Sequence, residues 1–346
     1  MEFNAAGCAR PWISGLDVYE PGKMQEGYIK LASNENNYGP SPQVVETLKK
    51  ESERVNVYPY RFRQTREKIA GYCGVKADNV LLGNGSDELI DMLLKTFNGP
   101  VLSFRPTFAE YRLVAGILDE EYDEINLNDD FSFPVDEFTS KAENAEILFL
   151  CSPNSPTGGV ISEEDVRKVL ELGKLTVVDE AYVEFYGKSV IPLLKEFPNL
   201  VVMRTFAKAF ALAGLRLGYL VASQEIVELL SKVRLPFNVN SLALGAGIAA
   251  VDSVDYMKET VDRIKKDRDI LFESLTGKFR AFRSEGNFVF ADVSPMKAEE
   301  LFDKLMEEKI IIRCFGKFDG FEGEYVRITV GTAEENRRLV EVLDGL

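Results

Sequence analysis

Residues 205–219 of this 346-residue chain read TFAKAFALAGLRLGY, with one lysine, Lys208, among small and apolar neighbours. An apolar run at 200–203 precedes the stretch, and Arg216 follows the lysine by eight residues. A lysine in apolar surroundings is desolvated, which favours its neutral amine and suits it to form a Schiff base with a carbonyl cofactor. An isolated lysine is more often a surface residue on a loop between a strand and a helix, so the interpretation depends on what the other strands present.

The composition argues against several classes of function. The 56 acidic and 41 basic residues give a net charge of -15, which disfavours broad attraction to nucleic acid or anionic lipid. Histidine is absent from the sequence, which excludes Ser-His-Asp triads, Cys-His pairs and HExxH zinc sites. Anionic ligands must therefore be met by local positive groups, and another residue type must move protons.

The cysteines and the apolar runs indicate the cellular compartment of the protein. The four cysteines are scattered without a CxxC pair, so we expect no metal site and reduced thiols in a cytoplasmic protein. No apolar run approaches the roughly 18 residues of a membrane span, and the first residues lack the apolar segment of a signal peptide. We therefore expect no membrane partner and no nucleic-acid partner.

Short, nearly continuous apolar runs predict strands that are buried on both faces. Such runs occupy 101–104, 147–150, 176–179 and 200–203, with further strands predicted at 80–82 and 217–222. A glycine turn leads into a helix through about residue 97, and Ser162 caps an amphipathic helix over 163–172. This alternation predicts an α/β domain with a mostly parallel mixed sheet of about seven strands flanked by helices.

The last third of the chain predicts a second, smaller α/β (α+β) domain. A long charged helix is predicted over 253–274, strands over 287–291, 310–313 and 325–330, and helices over 298–308 and from 333. We expect an N-terminal arm over 1–30, a large domain over 50–250, and a small domain built from 31–49 together with 251–346.

Reactive loops of a parallel sheet gather at the carboxyl ends of its strands, and polar side chains follow the predicted strands there. The glycine turn before Ser86 opens a helix whose free N–H groups and positive dipole end would accept a phosphate. Thr205 offers a hydroxyl and Arg216 a bidentate charge to the same anion. These parts suit a phosphate-bearing ligand, although a lone glycine pair is more often a tight turn than a phosphate site.

Three further side chains at these loops suit a planar nitrogen heterocycle. Asp179 can keep a ring nitrogen protonated, Tyr182 can hydrogen-bond a ring oxygen, and Phe108 can stack on the ring. Taken alone, the aspartate could be a helix cap and the phenylalanine a packing aromatic. Their common order along the chain favours the ligand interpretation.

This order resembles the motif series of fold-type I aminotransferases that depend on pyridoxal phosphate. The matching motifs are PNSPTG at 153–158, VDEAY at 178–182, TFAK at 205–208 with Arg216, and VRITVG at 326–331. Within that group, the motifs ASNEN at 32–36, YP at 58–59, GSDE at 85–88 and AKAFALAGLR at 207–216 look like the histidinol-phosphate aminotransferase family. The resemblance spans nearly the whole chain, from Tyr19 to Arg327.

The resemblance implies roles for cofactor contacts. Lys208 would attach pyridoxal 5'-phosphate and move the proton between the substrate α-carbon and the C4′ carbon of the cofactor. Asp179 would pair with the ring nitrogen and Tyr182 with the ring 3′ oxygen. The remaining cofactor contacts would come from Thr205, Arg216, the amides of Ser86 and Asp87, the ring of Phe108, and Asn154 or Ser155.

The resemblance also implies a homodimer and a substrate site. Tyr58 would reach the cofactor phosphate of the other subunit. Arg327 would clamp the α-carboxylate of both amino-acid substrates. Tyr19, Arg313 and Asn36 are the candidates for contacts with the rest of the larger substrate.

Three positions depart from the pattern of the family. Ser155 stands where an asparagine usually bonds the ring oxygen, with Asn154 one residue earlier. Ala207 replaces a serine that usually gives the phosphate a second hydroxyl. Phe108 replaces the usual tyrosine, which keeps a ring contact without the hydroxyl.

The implied function is a cytoplasmic transferase of histidine biosynthesis that exchanges an amino group between glutamate with 2-oxoglutarate and histidinol phosphate with imidazole acetol phosphate. An aromatic or other amino-acid aminotransferase and a threonine-phosphate decarboxylase on the same scaffold remain open. A regulator that binds the cofactor would need a DNA-binding domain, for which the residues before Leu31 are too few.

Overall fold

The computed structural model describes residues 3–16, 18 and 24–345, so the candidate Tyr19 lies outside the described residues. The strands in this part of the chain are β1 Ile29–Leu31, β2 Val80–Gly83, β3 Val101–Arg105, β4 Tyr122–Asn126, β5 Ile147–Cys151, β6 Leu175–Asp179, β7 Leu200–Thr205, β8 Gly218–Ala222, β9 Arg280–Phe282, β10 Phe288–Asp292, β11 Ile310–Gly316 and β12 Tyr325–Thr329.

The α-helices in the same residues alternate with these strands over most of the chain. They are α1 Ala5–Cys8, α2 Pro42–Ser52, α3 Phe62–Cys73, α4 Ser86–Thr96, α5 Glu110–Leu118, α6 Val135–Lys141, α7 Glu163–Leu170, α8 Val183–Tyr186, α9 Gln224–Val233, α10 Ser241–Asp252, α11 Val254–Thr276, α12 Ala298–Glu307 and α13 Ala333–Gly345. None of the helices among the described residues is both long and apolar enough to cross a membrane.

Seven of the strands form a mixed sheet in the order β2-β8-β7-β6-β5-β3-β4. The five strands from β7 to β4 run parallel, and β8 lies antiparallel between β7 and β2. Every residue of β2, β5, β7 and β8 is buried, as expected for continuous apolar runs covered on both faces. The structure confirms the predicted mostly parallel sheet of about seven strands.

The prediction missed the edge strand β4. Its sequence is YDEIN, and only Ile125 is buried. An edge strand is paired on one side and leaves charged side chains in solvent, so it lacks the continuous apolar run that identified its neighbours. It extends the sheet beyond β3, at the side away from Lys208.

A second sheet has the strand order β1-β11-β12-β10-β9. Strand β1 runs parallel to β11, with Ile29 opposite Ile310, and the other pairs are antiparallel. Helix α12 packs on β11, and the long helix α11 contacts both β10 of this sheet and α8, which follows β6 of the first sheet. Helix α11 therefore joins the layers that carry the two sheets.

The N-terminal arm contacts the first sheet's helical layer through a short 3-10 segment, Pro11–Gly15. The indole N–H of Trp12 donates to the carbonyl of Ile117 at 3.1 Å, in α5. The same helix carries Tyr111 into the interior of the large sheet, where its ring stacks on Phe149 of β5.

Candidate active site

A cavity of about 300 Å³ is bordered by residues of both sheets. It brings together most of the residues singled out in the sequence: Ser86, Asp87, Phe108, Ser155, Asp179, Tyr182, Thr205, Lys208, Arg216, Arg313 and Arg327. The loops after the strands of the large sheet contribute most of this lining, as expected for the carboxyl edge of a parallel sheet. Strands β11 and β12 of the second sheet contribute the two arginines Arg313 and Arg327.

One part of the cavity has the features of an anion site. Gly85 adopts a left-handed conformation with φ 87 immediately before α4, so the first N–H groups of that helix, at Ser86 and Asp87, have no partner within the helix. A Cβ at Gly85 would lie 2.6 Å from Nη2 of Arg216 and would displace this guanidinium, and the left-handed backbone itself favours glycine. Arg216 Nη2 in turn donates to Asp87 Oδ2 at 2.6 Å.

The hydroxyl of Thr205 completes this group. Thr205 is buried at the end of β7, and its Oγ1 accepts the backbone N–H of Ala207 at 3.0 Å. That bond uses the oxygen as an acceptor and leaves the hydroxyl proton available to an anion. Ala207 also borders the cavity, but it offers no hydroxyl there.

Asp179 is a buried carboxylate, with 2 % of its surface exposed. Its Oδ2 accepts a hydrogen bond from Tyr111 Oη at 2.8 Å, and its Oδ1 accepts from the N–H of Ala181 at 3.0 Å. Burial raises the pKa of Asp179 to about 6, although these two hydrogen bonds and the charge of Lys208 act in the opposite direction. Such a carboxylate is favoured in its ionised form by a cationic partner such as a protonated ring nitrogen.

Tyr111 was missed as a functional residue. It is fully buried, and Phe108 lies against it edge-on with ring centroids 5.6 Å apart. The available signal was a second aromatic residue three positions after Phe108, in the first turn of α5. Since such pairs usually belong to the core, only the fold shows that the phenol holds Asp179.

Lys208 is half-buried in the loop that follows β7. Its Nζ donates to the carbonyl of Ser33 at 3.1 Å and lies 5.7 Å from the ring centre of Tyr182. Ser33 belongs to the loop after β1, so the lysine amine lies where the two sheets meet.

Ser155 and Asn154 occupy different environments. Ser155 borders the cavity, and its Oγ accepts from Arg327 Nη1 at 2.8 Å. The amide of Asn154 is buried outside the lining, where Thr107 donates to its Oδ1 and its Nδ2 donates to Pro106 O and Thr157 Oγ1. Asn154 therefore links the loops of Pro106 and Thr157, because both hydrogens of its amide are donated within the protein and its oxygen accepts from Thr107.

Two other candidates also lie outside the lining of the cavity. Asn36 is buried and donates to the carbonyl of Ala209 at 2.9 Å, so it supports the loop that carries Lys208. Tyr58 is 74 % exposed and stacks on Phe237 with ring centroids 4.6 Å apart.

A buried ion pair fixes the loop after β6 and was also missed. Nε and Nη2 of Arg204 donate to Glu180 Oε2 at 2.9 and 2.7 Å, and both side chains are almost fully buried. Glu180 further accepts the N–H of Val190 at 2.7 Å and the hydroxyl of Ser189 at 2.8 Å. Each member is adjacent in sequence to a cavity residue, Asp179 or Thr205, so the pair connects the ends of β6 and β7.

The chain matches the family model "Aminotransferase class I and II" over residues 26–343 and belongs to that family. Among curated proteins it is 37% identical to the histidinol-phosphate aminotransferase of Methanothermobacter thermautotrophicus, with 99% of this chain and 96% of the relative covered.

Solved structures agree with this assignment. The histidinol-phosphate aminotransferase of Clostridium acetobutylicum superposes with a TM-score of 0.86 and 28% identity over 92% of this chain and 98% of the other. The enzyme of Sinorhizobium meliloti, described in complex with pyridoxal-5'-phosphate, shares the fold with a TM-score of 0.88 and 22% identity over 97% of this chain and 98% of the other.

The family depends on pyridoxal phosphate, and the cavity fits this group. The glycine-dependent anion site suits the phosphate, the buried Asp179 suits a cationic ring nitrogen, and Lys208 is the amine that an aldehyde requires. The protein is thus a pyridoxal-phosphate-dependent aminotransferase.

Proposed function

We propose that this aminotransferase exchanges an amino group between glutamate with 2-oxoglutarate and histidinol phosphate with imidazole acetol phosphate, a step of histidine biosynthesis. The observation that carries the proposal is the arginine pair of the second sheet. Arg313 and Arg327 face each other across β11 and β12, and both border the cavity that contains Lys208. Two guanidinium groups suit substrates with two negative charges, and the family relatives carry the same activity in their names.

The two substrates offer different anionic groups to the arginines. Glutamate carries two carboxylates, whereas histidinol phosphate carries a phosphate ester on the methylene group that takes the place of the α-carboxylate. Arg327 would therefore bind the α-carboxylate of glutamate and the phosphate ester of histidinol phosphate. The expectation of an α-carboxylate contact with both substrates is corrected accordingly, because histidinol phosphate has no carboxylate.

The cofactor, when bound, supplies a ring that accepts the electron pair of the substrate α-carbon. Lys208 Nζ would take the α-proton and return it at C4′, which is the acid–base work that a histidine-free chain needs. Asp179 would hold the ring nitrogen, Tyr182 the 3′ oxygen, and Phe108 the ring face. The phosphate would be held by Thr205, Arg216 and the N–H groups of Ser86 and Asp87.

The proposal includes a homodimer, in which Tyr58 reaches the partner's cofactor phosphate. Three exposed apolar side chains lie near this tyrosine. Val55 and Val57 precede it closely in sequence, and Phe237 stacks on its ring. Next to Phe237, Asn238 donates to Glu88 of α4 at 2.7 Å, so this apolar surface borders the anion site. Light scattering measures the oligomeric state. A dimeric wild type and a monomeric Phe237→Asp variant would support the arrangement, and a monomeric wild type would contradict it.

A cytoplasmic location is also part of the proposal. All four cysteines carry free thiols in the structure. Three of them, Cys73, Cys151 and Cys314, are at least partly buried, and burial raises the pKa of Cys151 to about 12, which keeps this thiol unreactive. Free cysteines are typical of reducing compartments.

The substrate assignment is tested by half-reactions of the purified enzyme loaded with pyridoxal phosphate. Histidinol phosphate, phenylalanine and threonine phosphate are each added in the absence of an acceptor, and the visible absorbance of the cofactor is followed. We expect histidinol phosphate to convert the cofactor fastest and 2-oxoglutarate to restore it. Faster conversion by phenylalanine would indicate an aromatic aminotransferase, and carbon dioxide release from threonine phosphate would indicate a decarboxylase.

A further inference from the structure

Asn34 lies in the loop after β1 and is buried, with 1 % of its surface exposed. Its backbone has φ 56, in the left-handed region that asparagine tolerates better than most residues with a side chain. The side-chain Nδ2 donates to Tyr182 Oη at 2.8 Å. Asn34, in the loop after β1 of the second sheet, is thus hydrogen-bonded to Tyr182, in the loop after β6 of the large sheet.

The other polar groups of Asn34 fix the direction of this amide. Its backbone N–H donates to Thr329 Oγ1 at 2.9 Å, and the hydroxyl of Thr329 donates to Asn34 Oδ1 at 3.0 Å. Its carbonyl accepts Nδ2 of Asn287 at 3.0 Å. Because Oδ1 is used by Thr329, the amide presents its N–H₂ group to Tyr182.

This contact determines what the tyrosine can donate. Tyr182 Oη accepts the amide hydrogen of Asn34, so the phenol proton is directed elsewhere, and Tyr182 borders the cavity. In the family pattern an asparagine at position 155 would help to bind the ring oxygen. Here the shorter Ser155 is engaged by Arg327 at 2.8 Å.

We propose that Asn34 is a positioning residue that orients Tyr182 as a hydrogen-bond donor to the 3′ oxygen of the cofactor, and that it takes over part of the role of the missing asparagine at position 155. The inference rests on the proposed function of the cavity. Thr329 lies two residues after Arg327 on β12 and on the same face of that strand. The strand that carries the substrate arginine therefore also fixes the amide that orients the tyrosine.

A donor at the ring oxygen stabilises the deprotonated oxygen and lowers the pH at which the visible band of the bound cofactor titrates. Asn34→Gly removes the amide while keeping the left-handed backbone accessible. We expect this variant to raise the titration midpoint by roughly half to one pH unit, and Tyr182→Phe to raise it further. In the Tyr182→Phe background, Asn34→Gly should cause no additional shift, because the amide acts through the phenol.

Asn34→Asp provides a second variant of the same size and backbone preference. A carboxylate accepts a hydrogen bond instead of donating one, so it turns the phenol proton away from the ring oxygen and should raise the midpoint at least as far as glycine does. A wild-type midpoint in both variants, or a shift that adds in full to that of Tyr182→Phe, would overturn the inference. A wild-type protein that binds no pyridoxal phosphate would instead refute the proposed function.

Discussion

The large sheet supplies its cavity residues from loops at strand ends, whereas the second sheet supplies arginines from within its strands. Asp179 is the last residue of β6, and Lys208 follows β7 after a short loop. Arg313 and Arg327 lie inside β11 and β12 and reach the cavity because the strand register places both on the same face. The proposed cofactor side, with Asp179 and Lys208, is therefore built from local strand–loop–helix units, and the proposed substrate side, with Arg313 and Arg327, depends on correct pairing between distant strands.

The largest expected effect tests the chemistry of the cofactor side. Lys208→Ala removes the amine that would move the proton, and we expect both half-reactions to slow by about 10⁴-fold, with loss of the normal visible band. Stopped-flow absorbance measures both. Lys95→Ala, which removes a half-exposed lysine paired with Asp91, is the matched control and should behave as wild type. More than a tenth of wild-type turnover in Lys208→Ala would refute the assignment.

The second prediction concerns the support of the cofactor loops. Arg204→Met leaves Glu180 buried without its cation, which should lower the free energy of unfolding by about 3–5 kcal/mol in chemical denaturation. The double variant Glu180→Gln/Arg204→Met should recover part of this loss because no unpaired charge remains buried. A single variant within about 1 kcal/mol of wild type would show that the pair contributes little.

The third prediction separates the two sides of the cavity. Arg327→Lys keeps the charge but loses the forked contacts with Ser155 and Ala32, so kcat/KM for histidinol phosphate and glutamate should fall about 100-fold, or about 2.7 kcal/mol. The affinity for pyridoxal phosphate should stay unchanged, because this arginine belongs to the substrate side. Arg112→Lys, at an exposed ion pair with Glu124, is the control. Equal losses of cofactor and substrate affinity would remove the distinction between the sides.

The smallest effect is a pH dependence of cofactor affinity. Burial raises the pKa of Asp179 to about 6, and a cationic ring nitrogen would lower it again, so cofactor binding releases a proton below that pH. The affinity should weaken as pH falls through 6, by at most about tenfold per pH unit from this group. Titrations between pH 5 and 7.5 measure it, with Asp179→Asn as the reference that retains only the titration of the phosphate. Parallel pH profiles of the two proteins would contradict the assignment.

The same pKa has a consequence for the stability of the cofactor-free protein. A carboxylate whose folded pKa is raised favours the folded state fully below its unfolded value of 3.8. That contribution is lost as the pH rises through about 6. The cofactor-free protein should therefore gain more stability from pyridoxal phosphate at pH 7 than at pH 5.

The sequence predicts which side chains border the cavity better than it predicts the residues that support them. Asp179 and Lys208 follow buried strands whose apolar runs are visible locally, and both reach the cavity. The bonds of Asn34 with Tyr182 and Thr329 join residues that are 148 and 295 positions apart, a distance at which no periodicity carries information. Asn154 shows the same limit, because only the fold reveals that its amide bonds Pro106, Thr107 and Thr157 outside the lining of the cavity.

The pairing of β1 with β11 has a consequence for synthesis on the ribosome. Ile29 leaves the ribosome long before its partner Ile310, which lies in a strand made after all the strands of the large sheet. The large sheet, by contrast, is complete once residue 222 has emerged. The nascent chain can thus fold the large sheet and its loops early, but Arg313 and Arg327 join the cavity only after β11 and β12 have been made.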